Sequence, residues 1–388
     1  MSIKEKESIM AERLYYENQY LSKFTATVLA CTEAKGAFEV ILDKTAFFPE
    51  GGGQPGDRGF IGNAQVTDTQ EKDGEVIHIC TCAVEGTVDC KLDFEQRFSN
   101  MQQHSGEHIF SGIAHSITGF DNVGFHMGEN YVTVDFSGKI SAEELERIEA
   151  LTNEAIFKNV DIEAIYPTDE ELESYSYRSK KEIDGQVRLT RIGEYDLCAC
   201  CGTHVAKTGE IGIVKVISSM NYKSGVRITL QIGRKALEDY KSKNKSVSEI
   251  SALLKAKPEE VTSAVERVMR QQQELQFEYN ALKKELFEIR AKEYSGKSCC
   301  VFDSSGQSKD ACVFSDLLAE NVGIAAVFSG NDEDGYKYAV TSRSEDLRQI
   351  GKALNAACNG RGGGKPEMIQ GSVAATRAEI EKFWSTVE

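Results

Sequence analysis

The chain has 388 residues, room for two or three domains, and 40% of them are apolar, ample for buried cores. Acidic residues outnumber basic ones by 61 to 45, a net charge of −16, so a polyanionic partner must be met by a local basic patch rather than by overall attraction. No stretch is apolar enough for a membrane span, residues 1–17 lack a signal-peptide apolar core and the eleven Cys are thinly spread, so the expectation is a reduced cytoplasmic protein without a membrane partner.

The expected fold class is α+β, in four parts. Residues 1–93 read as a small N-terminal β-barrel domain. Runs at 24–30 and 37–42 are joined by a Lys35-Gly36 turn, and further runs lie at 64–67, 75–80 and 86–92. Among them stands Phe47-Phe48-Pro49-Glu50-Gly51-Gly52-Gly53-Gln54-Pro55-Gly56-Asp57. Three consecutive glycines weaken any strand or helix and suit a place where a ligand approaches the backbone; an ordinary turn is the competing explanation.

Residues 94–233 read as an α+β zinc-binding domain. A helix over 101–113, running to about 115, carries His104-Ser105-Gly106-Glu107-His108, so both imidazoles project from one face. A strand at 131–136 follows. Ser141-Ala142-Glu143-Glu144 is a capping box opening a helix through Ile156, and a strand at 161–166 closes at Pro167. The stretch 177–191 is locally basic (Arg178, Lys180, Lys181, Arg188, Arg191), either a binding patch or a solvated face. Cys200-Cys201-Gly202-Thr203-His204 repeats the four-residue spacing, and strands at 212–217 and 226–232 follow. His104, His108, Cys200 and His204 form a tetrahedral N/S set of the kind zinc prefers, one ion per chain. A packed helix face beside a free Cys loop is the plainer alternative.

Residues 234–297 read as a helical hairpin or coiled coil. From Val261 to Ile289 apolar residues recur at spacings of four and three, broken only by Gln272, and Pro258-Glu259-Glu260 marks the helix start. A shorter helix at 247–256 either folds back on this seam, or the 261–289 helix holds two chains in a homodimer. Residues 298–388 alternate strands (299–302, 323–328, 336–341) with helices (310–320, 345–358), a small α/β domain. It contains the loop Asn359-Gly360-Arg361-Gly362-Gly363-Gly364-Lys365-Pro366-Glu367-Met368, which lacks the Walker spacing but places two cations around glycines.

Taken together, Pro49-Glu50-Gly51-Gly52-Gly53-Gln54, His104-x3-His108 and Cys200-x-Gly202-Thr203-His204 resemble the editing domain of alanyl-tRNA synthetase. Arg361-Gly362-Gly363-Gly364-Lys365-Pro366 resembles the C-terminal DHHA1 domain of the same enzymes. With no class II aminoacylation core before the barrel, the arrangement looks like the free-standing AlaX editing proteins in their long form. One departure is the doubled Cys200-Cys201, where the synthetases more often show Cys-Gly-Gly-Thr-His; four-residue spacing selects Cys200 as ligand, with Cys201 and Cys198 as substitutes.

The resemblance implies zinc-dependent hydrolysis of the ester in tRNA(Ala) charged with serine or glycine, because a pocket for alanine rejects an added hydroxyl poorly and needs a second sieve. It implies that Gly51, Gly52 and Gly53 lie against the substrate and that Arg361 and Lys365 bind tRNA. Thr45, Gln54 and Glu107 are the candidate catalytic residues: the first two would read the serine hydroxyl, and Glu107 is charged beside the metal with its role open. Zinc either activates water or anchors substrate. Two other classes stay in view, a nucleic-acid-binding protein with a structural zinc and a metallohydrolase of a small molecule. The protease motif His-Glu-x-x-His does not fit, since Glu107 stands next to the second His.

Overall fold

The computed structural model describes residues 11–34, 36–128, 130–179, 186–304 and 307–387. The chain divides into two compact units, Met1–Ser248 and Glu249–Glu388.

The first unit opens with strands β1 (Lys23–Ala34), β2 (Ala37–Leu42), β3 (Gly59–Ile61), β4 (Ala64–Lys72), β5 (Glu75–Cys80) and β6 (Thr87–Leu92). They close into a barrel in the order β1-β2-β5-β4-β3-β6. Alternation along each strand fills the interior: Val76, His78 and Cys80 of β5 are buried, as are Cys90 and Leu92 of β6. The short β3 escapes sequence reading because it spans three residues and opens at a glycine. The glycine-rich segment 47–57 lies between β2 and β3 and leaves the barrel as a loop.

Helix α1 (Phe94–Thr118) is longer at both ends than its apolar period suggests. Asp93 caps its start by accepting from the Gln96 N–H, and Gly119, in the left-handed region at φ 72°, ends it. Although rich in polar residues, it is buried almost throughout from Ser99 to Ala114. It packs in one core with helix α2 (Ala142–Phe157) and a sheet of β7 (Asn122–Met127), β8 (Val132–Phe136), β12 (Val214–Tyr222) and β13 (Gly225–Ile232), ordered β12-β13-β8-β7. The capping box forms: Glu144 N–H donates to Ser141 Oγ at 3.2 Å, and Ser141 N–H to Glu144 Oε2 at 2.8 Å. A second sheet, β9 (Ile162–Ile165), β10 (Leu189–Ile192) and β11 (Asp196–Ala199), leads directly into the Cys/His stretch.

The expected single helical part at 234–297 is divided. Helix α3 (Arg234–Leu254) starts well before the expected 247, and the boundary between the units falls inside it. Helix α4 (Val261–Ala291) follows a 3-10 turn at Pro258–Glu260. Its seam is open to solvent: Leu275 and Leu282 are each 66% exposed.

The second unit carries a sheet of β14 (Gly296–Asp303), β15 (Val322–Asn331), β16 (Gly335–Ser342), β17 (Gly360–Lys365) and β18 (Met368–Val373), ordered β14-β15-β16-β18-β17. Only β14–β15 is parallel, so the sheet is mixed. Alternate residues feed two cores. Ala325 and Val327 pack with helix α5 (Ser308–Leu318) and with Phe287 of α4, while Ala326 and Phe328 pack with helices α6 (Arg348–Ala357) and α7 (Arg377–Trp384). The glycine stretch expected as a loop is instead the edge strand β17. Pairing explains it: Gly362 lies opposite Gly371, and a Cβ on Gly371 would come within 2.7 Å of the Tyr338 ring, so glycines let the edge hairpin lie flat on that ring. No helix among the described residues is long and apolar enough to cross a membrane.

Candidate functional site

His104, Ser105 and His108 come from the buried middle of α1, and Cys200 and His204 from the turn after β11. The structure brings His104, His108, Cys200 and His204 together, with one ligand atom from each lying within 4.8 Å of all the others. Cys200 Sγ is 3.5 Å from His104 Nε2 and 3.4 Å from His204 Nε2. Tetrahedral Zn–N and Zn–S bonds separate a nitrogen and a sulfur ligand atom by about 3.6 Å, close to the two Cys200–His separations, so the donor set is of the kind zinc takes.

Each imidazole is held by its other nitrogen. His104 Nδ1 donates to Gln54 Oε1 at 3.0 Å, His108 Nδ1 to Asp196 Oδ2 at 2.9 Å, and His204 Nδ1 lies 3.1 Å from Ser105 Oγ. Donation from Nδ1 leaves the Nε2 atoms of His104 and His108 for a metal, the arrangement that fixes ligand tautomers at metal sites. Asp196 is itself gripped by Arg178, through Nε at 2.7 Å and a terminal nitrogen at 2.9 Å. Gly202 is required because any Cβ there would collide with the His104 ring.

The electrostatics favour a cation. Burial pushes the Cys200 thiol up, but His104 and His108 outweigh it and hold the thiol well below its ordinary range, which favours the thiolate. Burial pulls His108 down, but Cys200 and Asp196 overcome this and raise it well above the usual imidazole value. Burial lowers His204 to about 3, so it stays neutral and able to coordinate.

The glycine loop lies against this cluster. A Cβ built on Gly52 would sit 3.5 Å from Cys201 Sγ and 4.0 Å from His104 Cε1. Gly52 and Gly53 have left-handed φ of 59° and 84°, and their N–H groups have no protein acceptor among the described residues. Gln54 joins loop to ligands: Nε2 donates to Thr203 Oγ1 at 2.9 Å, and Oε1 also accepts from Thr203 N–H at 3.2 Å.

The other candidates lie elsewhere. Thr45 is buried in the barrel, where its hydroxyl lies 2.9 Å from His78 Nε2 and accepts from the Phe47 N–H. Glu107 is outside the cluster; its Oε1 accepts from Ser111 Oγ at 2.6 Å and Asn122 Nδ2 at 2.5 Å. Cys201 is exposed, and Cys198 is buried in a second ligand-like group with His108 and Asp196. Arg361 and Lys365 belong to the second unit, two pleats apart on one face of β17, with Gly363 between them facing open space. Two cations of the basic stretch support the site in the structure. Arg178 holds Asp196 and Arg188 donates to the carbonyls of Cys200 and Gly202, while Lys180 and Lys181 lie outside the described residues.

Sequence reading missed Asp196, Ser105, Arg178 and Thr203 as supports of the cluster. One signal was present: Asp196, Cys198 and Cys200 alternate with period two, which puts a carboxylate on the thiol face of the strand.

The chain thus presents a barrel and an α+β body carrying a three-His, one-Cys cluster beside a glycine loop, and the comparisons say what it is similar to. Residues 4–95 match the profile of tRNA synthetases class II (A). Residues 187–247 match the threonyl and alanyl tRNA synthetase second additional domain, and 297–388 match the DHHA1 domain. The alanyl-tRNA editing protein AlaX-L of Pyrococcus horikoshii is 30% identical over 96% of each chain. The alanyl-tRNA editing protein Aarsd1-A of Xenopus laevis is 26% identical over 90% of each. Alanine–tRNA ligase of Halobacterium salinarum is 30% identical over 83% of this chain but only 38% of its own length. The chain belongs to the family of alanyl-tRNA editing proteins.

Proposed function

We propose that this chain is an aminoacyl-tRNA deacylase that hydrolyses tRNA(Ala) charged in error with serine or glycine, using one zinc ion per chain. The observation that carries this reading is the cluster itself: three imidazole nitrogens and a Cys sulfur converge, each His fixed from behind, next to a loop without side chains. Zinc held there supplies a Lewis-acid centre that polarises water or the ester. The chain's own residues do the rest. Gln54 keeps the Nδ1 proton on His104, and Asp196 does the same for His108. The N–H groups of Gly52 and Gly53 offer donors to the ester carbonyl oxygen as negative charge develops on it.

The tRNA body is captured on the second unit. Arg361 lies opposite Ser372, which lies opposite Lys337, so two cations flank a hydroxyl across adjacent strands. They line a cleft of about 350 Å³ with Asn359. Local cations of this kind are what an acidic chain needs to hold a phosphodiester.

The decisive experiment is deacylation of Ser-, Gly- and Ala-tRNA(Ala) by the purified, zinc-loaded protein. Ser-tRNA(Ala) should be cleaved far faster than Ala-tRNA(Ala). Equal rates on the three would contradict the reading. One observation favours a second reading, a nucleic-acid-binding protein with a structural zinc: four protein ligand atoms converge, and catalytic sites usually keep a position open. Tight zinc binding with no deacylation would establish that instead.

A further inference from the structure

Arg97 stands on α1 seven residues before His104 and eleven before His108. At about 100° per residue these offsets return to within about 20° of one direction, so the three side chains share a helix face. Arg97 is wholly buried. Its Nε donates to both carboxylate oxygens of Asp57, at 3.0 and 2.8 Å. One terminal nitrogen donates to Asp57 and, at 2.6 Å, to the Ala46 carbonyl; the other donates to the Gln19 carbonyl at 3.1 Å. Asp57 Oδ2 accepts from the Phe48 N–H at 2.6 Å, and the Phe48 carbonyl accepts from the Asp57 N–H at 2.9 Å.

Phe48 and Asp57 are therefore the neck of the loop whose tip is Gly51–Gly53. The loop meets α1 twice. Arg97 holds the neck, and Gln54 meets His104 near the tip, about 10 Å further along the helix at 1.5 Å per residue. A buried ion pair adds little stability over neutral groups of similar size. What it adds here is geometry, because the planar guanidinium fork fixes three chain segments at once.

We propose that Arg97, with Asp57, is a positioning residue: it clamps the neck of the glycine loop to the ligand-bearing helix and so sets the placement of the Gly51–Gly53 backbone over the metal site. This rests on the deacylase reading for its activity readout, but not for its structural one.

The test is the full-length double variant Arg97→Met/Asp57→Asn, in which no buried charge is left unpaired and Asn still accepts from Phe48. It should fold, bind one zinc and keep its KM for mischarged tRNA, while kcat falls by roughly 100-fold, the scale of an ångström-level misplacement. With cobalt in place of zinc, its visible spectrum should shift, since Gln54 no longer meets His104 in register. A folded, metal-loaded variant with kcat within about threefold of the parent overturns the proposal. If the double variant does not fold, Arg97→Lys, which keeps the charge but loses the fork, carries the same kcat test, and full activity there overturns it. If the parent deacylates no mischarged tRNA, the proposed function fails by itself; an unchanged cobalt spectrum in the variant would then overturn the clamp.

Discussion

Gln54 Oε1 accepts from His104 Nδ1 at 3.0 Å across 50 residues of sequence, which joins the barrel's glycine loop to the helix that carries the candidate ligands. The same amide grips Thr203 in the Cys/His turn. One side chain thus ties together three segments that each contribute to the site.

Gln54→Ala should therefore weaken metal binding rather than abolish it. Partners that fix a ligand's second nitrogen typically contribute about 10- to 100-fold in affinity. Competition against a chelating dye measures this directly, and Asp196→Ala should show a loss of similar size through His108. Unchanged affinity in both variants would mean that the imidazoles do not depend on these partners.

The ligands themselves were legible in the sequence, because the four-residue spacings His104/His108 and Cys200/His204 are local. Their supports were not: Ser105 meets His204 and Asp196 meets His108 across 99 and 88 residues, and only folding brings them together. The barrel strands other than β3 and the Ser141/Glu144 capping box were readable from period and chemistry. Strand β17 was not, because glycine has low strand propensity and is demanded there by close approach of Gly362 to Gly371 and Tyr338, which no local pattern announces. The α4 seam was readable as a stripe, but a stripe does not say what covers it.

A second expectation concerns acid stability. His78 is buried in the barrel, and burial lowers it to about 4. Its Nδ1 donates to the Val40 carbonyl at 2.9 Å and its Nε2 accepts from Thr45, a network that needs the neutral ring. The unfolded chain takes up a proton near 6.5, whereas the folded chain resists it until about 4. Between those values the unfolded state binds more protons, so stability is fully present above 6.5 and falls as the pH drops, by up to about 1.4 kcal/mol per unit. Urea unfolding at pH 7 and pH 5 should show this loss, and His78→Gln, which keeps a donor and an acceptor but does not titrate, should flatten it. An equal loss in the variant would assign the acid sensitivity to other groups.

The seam on α4 should hold two chains together. Val268, Leu275, Leu282, Leu286 and Ile289 are each between 46% and 66% exposed along one helix. Burying a leucine contributes roughly 1.5–3 kcal/mol, so a self-paired seam would gain several kcal/mol per dimer. Replacing Leu275 and Leu282 with Asp should lower the mass seen in sedimentation to that of one chain. A parent protein that already sediments as a monomer would refute the dimer.

Capture of tRNA is expected on the second unit, and it can be separated from chemistry. The chain carries a net charge of −16, so affinity for a polyanion must come from a few well-placed cations. Arg361 and Lys365 both rise from the exposed edge strand β17, and among the described residues nothing lies within 4 Å of a Cβ built on Gly363 between them. Their loss leaves the metal ligands, all in the first unit, untouched. Each phosphate contact removed should flatten the log–log dependence of affinity on salt by roughly 0.7 to 0.9. The variant Arg361→Ala/Lys365→Ala should accordingly bind tRNA more weakly at low salt, with a smaller slope. Its deacylation rate at saturating tRNA should match the parent's, and its rate at low tRNA should fall in proportion to affinity. Lys337→Ala should add a further step of the same kind, since Lys337 lines the same cleft as Arg361. Affinity and salt slope identical to the parent's in all of these variants would move the tRNA surface off this sheet.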